Sequence, residues 1–262
     1  MNKIICGDAL VELKKLKDKS IDLILTDPPY NIDISKYKNL VLKTKKGKRV
    51  LHDGGEKNRK YWDKGKKFHY EERFKWDKKE AFDIHKMSKL LFPEFDRLLK
   101  ETGALIIFGA QEWAYHYWKP AIENNFHFKC QIIWIKSNPI PQIRKKNYRS
   151  AHENIVWFAR YNEKKVPFIF NFINQPEMKN VFEYPILGGN ERWQHPTQKP
   201  LELIKKLILI HSNEKDAVLD PFMGSGTTAV AAKQLKRNYI GIDISKEYCE
   251  IAKKRLGQEL LL

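Results

Sequence analysis

The chain has 262 residues, 42% of them hydrophobic, enough to bury the core of one or two domains without disulfide or metal staples. Its 49 Lys and Arg against 32 Asp and Glu leave a formal net charge of +17, which suits a polyanionic partner. A membrane is excluded as the reason for that charge, because no apolar run approaches the ~20 residues that span a bilayer, and the opening Met1 to Asp8 is interrupted too soon for a signal peptide.

A soluble cytoplasmic protein is therefore expected. The three cysteines, Cys6, Cys130 and Cys249, are odd in number and far apart, which indicates neither a disulfide framework nor a zinc cluster. Buried thiols are expected.

In chain order, the first strand predicted is Lys3 to Cys6, followed by Gly7-Asp8-Ala9-Leu10. The second, Ile21 to Thr26, closes on Asp27-Pro28-Pro29-Tyr30. The residue before a proline is pushed towards extended geometry and neither proline donates an N–H, so this turn offers a carboxylate, carbonyl acceptors and an aromatic ring at one strand end. Such a cluster suits the exocyclic NH2 of a flat heterocycle, although a plain proline turn reads the same locally.

From Ile32 to Lys79 the chain is lysine-rich and reads as long and irregular, with Lys43-Thr44-Lys45-Lys46-Gly47-Lys48-Arg49 and interleaved aromatics. Loops of this length in compact domains are usually functional or disordered. A helix is predicted over Phe82 to Lys100, with Pro93 expected to bend or break it. Strands follow at Ala104 to Phe108, Gln131 to Ile135 and Asn154 to Phe158. The stretch Lys136 to Glu191 carries Arg144-Lys145-Lys146-Asn147-Tyr148-Arg149, then Asn171, Asn174 and Gln175, side chains of the types that touch phosphates and read purine edges.

Helices are predicted over Leu201 to Ile210 and Ser245 to Leu256, with Ser245 as N-cap. Between them the strand Ala217 to Leu219 runs through Asp220-Pro221-Phe222-Met223 into Gly224-Ser225-Gly226-Thr227-Thr228-Ala229, a G-x-G-x-x-A turn. The next strand, Tyr239 to Ile242, ends on Asp243, where a carboxylate can take the two hydroxyls of a ribose. The alternation predicts an α/β, mostly parallel sheet with helices on both faces, in which the Asp27 and Asp220 clusters open on the same edge.

Taken with Gly103 to Gly109 and His195-Pro196-Thr197-Gln198-Lys199-Pro200, these motifs in this order resemble the amino-methyltransferases of DNA that use S-adenosylmethionine, in the subgroup called β, where the catalytic tetrapeptide precedes the cofactor loop. The resemblance covers most of the chain. It implies a Rossmann-like, doubly wound methyltransferase sheet with circularly permuted motif order and an inserted target-recognition region. Its parts would be a catalytic half over 1–135 with a basic loop at 32–79, target recognition over 136–191, and a cofactor-binding half over 192–262.

By the same resemblance Asp27, Pro28, Pro29 and Tyr30 are catalytic. Asp8, Asp27, Thr197, Lys199, Asp220, Phe222, Gly224, Gly226, Thr227 and Asp243 bind S-adenosylmethionine, and no metal is called for because a sulfonium is already a good leaving group. Double-stranded DNA would meet Lys45, Lys46, Lys48, Arg49, Arg144, Lys145, Lys146 and Arg149. A homodimer and a cognate restriction endonuclease are further partners that the resemblance leaves open.

The segment Trp134 to Pro141 is similar to small members that modify adenine in short palindromes such as GATC, and Asp rather than Ser at position 27 is commoner among adenine enzymes. Adenine N6 is thus the expected target, with cytosine N4 the alternative. A nicotinamide dehydrogenase would leave Asp27 to Tyr30 unused, and a non-catalytic nucleic-acid-binding protein would account for the charge alone. The ligand spacing of zinc deaminases is absent.

Overall fold

The structure, a computed structural model, describes residues 2–29, 41–44, 47–50, 84–109, 114–142, 145–161, 167–188, 193, 195 and 197–258. They fall into two compact units, one of residues 1–28, 85–140 and 149–262, the other of 29–84 and 141–148.

In the first unit the strands are β1 (Lys3–Cys6), β2 (Ile21–Thr26), β5 (Leu99–Gly109), β6 (Phe126–Lys136), β7 (His152–Arg160), β8 (Val181–Tyr184), β9 (Ala217–Asp220) and β10 (Asn238–Asp243). The helices are α1 (Ala9–Leu13), α2 (Ile84–Leu98), α3 (Ala114–Glu123), α4 (Leu201–His211), α5 (Thr227–Gln234) and α6 (Lys246–Gln258). One sheet takes the order β1-β10-β9-β2-β5-β7-β6-β8. Its pairs are parallel except β5 with β7 and β6 with β7.

Every residue of β2 is buried, as a central parallel strand covered on both faces requires. Alternation along β7 separates the two faces. Ile155 and Trp157 cluster with Leu203, Ile204, Leu207 and Ile208 of α4 and Ala231 and Ala232 of α5. Phe158 points the other way, edge-on to Phe92 of α2 at 6.3 Å between ring centroids. Helices thus cover both faces, and the sheet is doubly wound.

Pro93 does not break α2, which runs on to Leu98 because buried Leu91, Phe92, Phe95 and Leu98 hold it to the core against the lost backbone bond. The helix stops short of the expected Lys100, since Leu99 already begins β5. Ser245 caps α6 through its hydroxyl, which accepts from the Tyr248 N–H at 3.4 Å. The cysteines correct the expectation of buried thiols: Cys249 is buried, Cys6 is exposed and Cys130 lies between. No helix among the described residues is long and apolar enough to cross a membrane.

The second unit corrects the irregular reading of 32–79 at one place. There β3 (Val41–Thr44) and β4 (Gly47–Val50) pair antiparallel, Val41 with Val50 and Thr44 with Gly47. Val41, Leu42, Thr44 and Val50 supply β-formers, and lysines between them are compatible with a two-stranded ribbon. The remainder of 32–79 lies outside the described residues.

One core group carries a measurable consequence. His211, at the end of α4, lies with its ring centroid 4.5 Å from that of Trp157 and 5.6 Å from that of Phe170. Burial holds its imidazole down to about 3. The unfolded chain takes up that proton near the ordinary value of 6.5 and the folded chain does not, so stability present above 6.5 is lost as pH falls towards 3. Asp220 and Asp243, whose carboxyls are raised by burial, act in the opposite sense. The test is therefore a difference: His211→Phe is expected to remove on the order of 1–2 kcal/mol of the parent's acid destabilisation between pH 6.5 and 5. Identical pH dependence of the unfolding free energy in both proteins would contradict it.

Candidate active site

The sheet order fixes where the site lies. From β9 the chain crosses through α5 to β10 on one side, whereas from β2 it proceeds through α2 to β5 on the other. Winding reverses between β9 and β2, and a crevice outside the carboxyl ends of strands at such a point is where doubly wound sheets bind ligands. Asp27 follows β2 and Asp220 ends β9, so the two motifs meet there, as expected.

Asp220 has both carboxylate oxygens engaged. Oδ1 accepts from Thr26 Oγ1 at 3.0 Å and the Phe222 N–H at 3.1 Å, and Oδ2 accepts from Thr228 Oγ1 at 2.6 Å. Burial outweighs these bonds and raises its carboxyl to about 7. In this arrangement Asp220 fastens β9 to β2 and to the start of α5.

The loop from Pro221 to Gly226 needs left-handed backbone at Gly224 (φ +52°) and Gly226 (φ +80°). A Cβ at Gly226 would stand 2.6 Å from Ala252 Cβ of α6, and one at Gly224 would stand 2.7 Å from His195 Nε2. His195 is packed there against Tyr248, with ring centroids 4.6 Å apart. Buried Arg255 of α6 clamps the loop by donating from Nη1 to the Ser225 carbonyl at 2.8 Å, and to Ser225 Oγ and Thr227 Oγ1 at 3.1 Å each. Sequence reasoning missed Arg255, which reads as one more basic residue on a surface helix.

Asp243 accepts from the Gly224 N–H at 2.9 Å and the Ser245 N–H at 2.8 Å, one on each oxygen. Burial raises its carboxyl to about 6. Each carboxylate oxygen has a second lone-pair direction, the acceptor capacity a ribose diol demands. Asp8 reaches the same edge at the end of β1, which pairs with β10 and places Cys6 opposite Asp243. Its side chain caps α1 by accepting from the Val11 N–H at 3.2 Å. Phe222 is half-buried, and Thr197 is exposed with its N–H 3.4 Å from His195 Nδ1.

Asp27 is half-buried and ion-paired with Lys199 Nζ, which donates to Oδ2. Pro28 is buried, Pro29 begins the second unit, and Tyr30 lies outside the described residues. Lys199 stands before Pro200, the N-cap of α4, and is itself buried. Its ammonium also lies 3.4 Å from Glu153 Oε2, and Glu153 Oε1 is 2.8 Å from Lys136 Nζ. Burial alone would push the Glu153 carboxyl up, but the Lys199 and Lys136 ammonium groups outweigh it and hold it below the ordinary carboxylate value. Burial likewise opposes the charge on Lys199, and Asp27 and Glu153 outweigh it to raise that group. Glu153 was not anticipated, since the strand predicted there begins at Asn154.

The basic residues that are described divide between the two units. Lys48 and Arg49 lie on β4, Lys145 and Lys146 are exposed in the second unit, and Lys45, Lys46 and Arg144 lie outside the described residues. Arg149 is exposed in the first unit and donates to the Pro139 carbonyl. Asn171, expected as a base reader, instead donates from Nδ2 to the Leu209 and Ser212 carbonyls at 2.8 and 2.9 Å, tying down the end of α4. Asn174 Oδ1 accepts the Glu177 N–H at 2.9 Å and shapes a turn.

Known proteins are similar to nearly the whole chain. The chain is 35% identical over 269 residues to the Type II methyltransferase M2.DpnII of Streptococcus pneumoniae, covering 98% of this chain and 91% of the relative. It is 33% identical over 264 residues to the Type II methyltransferase M2.LlaDCHI of Lactococcus lactis subsp. cremoris, covering 97% and 89%. Among solved structures, the M1.HpyAVI–SAM complex superposes with a TM-score of 0.69 at 30% identity, over 98% of this chain and 99% of that one. Residues 21–254 match the family described as DNA methylase, and the chain belongs to that family.

Proposed function

We propose that the chain is a site-specific DNA methyltransferase that carries a methyl group from S-adenosylmethionine to the N6 amine of adenine in a short double-stranded sequence. The observation that carries this reading is the Asp27 carboxylate at the switch point, one strand away from the glycine loop and two from Asp243, in a chain of the DNA methylase family. The residues fit the cofactor. Asp243 offers charged acceptors to a ribose diol, Gly224 and Gly226 let the loop turn tightly against His195 and Ala252 where a Cβ would collide, and Asp8 and Phe222 stand at the same edge. When bound, S-adenosylmethionine supplies a methyl group on a sulfonium, whose positive charge makes the remaining thioether a good leaving group.

The chain's own groups supply the rest. The lone pair of an exocyclic amine is delocalised into its ring, so the nitrogen is a poor nucleophile until it pyramidalises. Asp27 and the Pro28 carbonyl, accepting from its two N–H bonds, favour the tetrahedral nitrogen over the planar one, which is binding selective for the transition state. Because the amine lies inside the duplex, the nucleotide is flipped into the pocket and stacked on Tyr30. The basic residues of 43–49 and 144–149 hold phosphates and read the flanking bases, and a cognate restriction endonuclease completes the system.

The product decides the reading. Incubation with labelled S-adenosylmethionine and mixed-sequence duplex DNA, followed by digestion to nucleosides and chromatography with mass detection, is expected to give label in N6-methyladenine. Label in N4-methylcytosine alone would move the target to cytosine, and no label in any base would remove the activity.

A further inference from the structure

Four side chains of alternating sign, Asp27, Lys199, Glu153 and Lys136, are linked in sequence at the edge where the parallel strands end. They come from four separate places: the end of β2, the residue before the N-cap of α4, the start of β7 and the end of β6. β7 reaches that edge because it runs antiparallel to β5, with Asn154 opposite Gly109, so its first residues stand where its neighbour's last ones do. Glu153 is opposite Trp134 in β6, two residues before Lys136.

A buried ammonium needs its charge balanced, and Lys199 is only 7% exposed. The aromatic face of Phe108, 5.1 Å from Nζ, gives partial compensation, and the Asp27 and Glu153 carboxylates add to it. Were Asp27 the sole carboxylate for Lys199, the ammonium would draw fully onto it and compete with the substrate amine for its lone pairs. Glu153 holds a share of that ammonium, and Lys136 in turn neutralises Glu153.

We propose that Glu153 is a positioning residue for methyl transfer, which sets through the shared Lys199 ammonium how the Asp27 carboxylate is presented to the amine. This rests on the reading of Asp27 as the acceptor for that amine, given above. Glu153 does not itself meet the substrate. Its removal should therefore act on the chemical step and act only while Lys199 is present.

The test measures single-turnover methyl transfer at saturating duplex DNA and labelled S-adenosylmethionine, in the parent and in Lys199→Met, each with and without Glu153→Gln. Glutamine keeps the volume and removes the charge. The expected result is a loss of at least fivefold in the parent, S-adenosylmethionine affinity within threefold of the parent, and a loss of less than twofold in the Lys199→Met background. A loss below fivefold in the parent, or twofold or more in the Lys199→Met background, overturns the proposal. A general structural role predicts that second outcome, because it lowers activity whatever residue stands at 199. Should Glu153→Gln fail to bind the cofactor, Glu153→Asp, which keeps the charge but draws it back by one methylene, is read against the same thresholds. Asp27→Ala in the same assay tests the underlying reading separately: full activity there removes the acceptor role, whatever Glu153 does.

Discussion

Replacing Asp27 with alanine is expected to cut the single-turnover rate of methyl transfer by about 10²–10³-fold, the range seen when one preorganised hydrogen-bonding group is taken from a transition state. The amine keeps the Pro28 carbonyl but loses the charged acceptor that favours its tetrahedral form. The loss should fall on the chemical step, with much of the cofactor affinity retained. The fold should survive, because Lys199 retains Glu153 at 3.4 Å as a counter-charge and the central strand β2 is buried along its whole length independently of Asp27. Asp27→Asn separates two parts of the effect: it keeps an acceptor oxygen but discharges the partner of Lys199. Rapid-quench measurement with labelled S-adenosylmethionine checks both variants, and an alanine rate within tenfold of the parent contradicts the acceptor role.

Asp243→Ala is expected to weaken S-adenosylmethionine binding tenfold or more. A hydrogen bond to a charged group is worth about 1.5–3 kcal/mol, and a ribose offers two hydroxyls to this carboxylate. The same change also leaves the Gly224 and Ser245 N–H groups without their acceptor, so part of the loss comes from loosening the loop itself. Asp243→Asn, which keeps one acceptor oxygen, should lose less. A pH effect with a defined sign accompanies this. Burial raises the Asp243 carboxyl to about 6, so the charged acceptor is present above that value and is lost as pH falls through it. Calorimetric titration with S-adenosylmethionine at pH 7.5 and pH 5 should show the parent weakening and the alanine variant changing less. Unchanged affinity in Asp243→Ala at pH 7.5 would count against a nucleoside at this edge.

The central strands that sequence reading drew, β2 and β9, share one property: they are buried throughout and stopped by the turn residues that follow. β2 was legible from Ile21 to Thr26 because a covered central strand is apolar nearly throughout and Pro28 and Pro29 stop it. β8 was not legible. Its four residues, Val181 to Tyr184, alternate between exposed and covered, and they are a strand because Ile133 to Lys136 of β6 lie beside them in parallel register. α3 was missed for a related reason: Pro120 sits inside it, and buried Tyr117 and Ala121 hold it to the core. β3 and β4 were hidden by their lysines, which interrupt the apolar alternation by which a strand is read.

The sequence by itself determined the local chemistry: the Asp27-Pro28-Pro29 turn, the Gly224 to Gly226 loop and the carboxylate of Asp243 one strand later. These are readable because backbone conformation at a turn is set by the few residues within it. Only the tertiary structure decided which charges meet. Lys199 and Asp27 are 172 positions apart and Arg255 and Ser225 are 30 apart, and nothing in the side chains themselves encodes those pairings. Glu153 is the clearest case, because an acidic residue at a strand start is ordinarily solvated. The antiparallel course of β7 carries it to the edge where β2 ends, and there, among the described residues, the ammonium groups of Lys199 and Lys136 partner its buried charge.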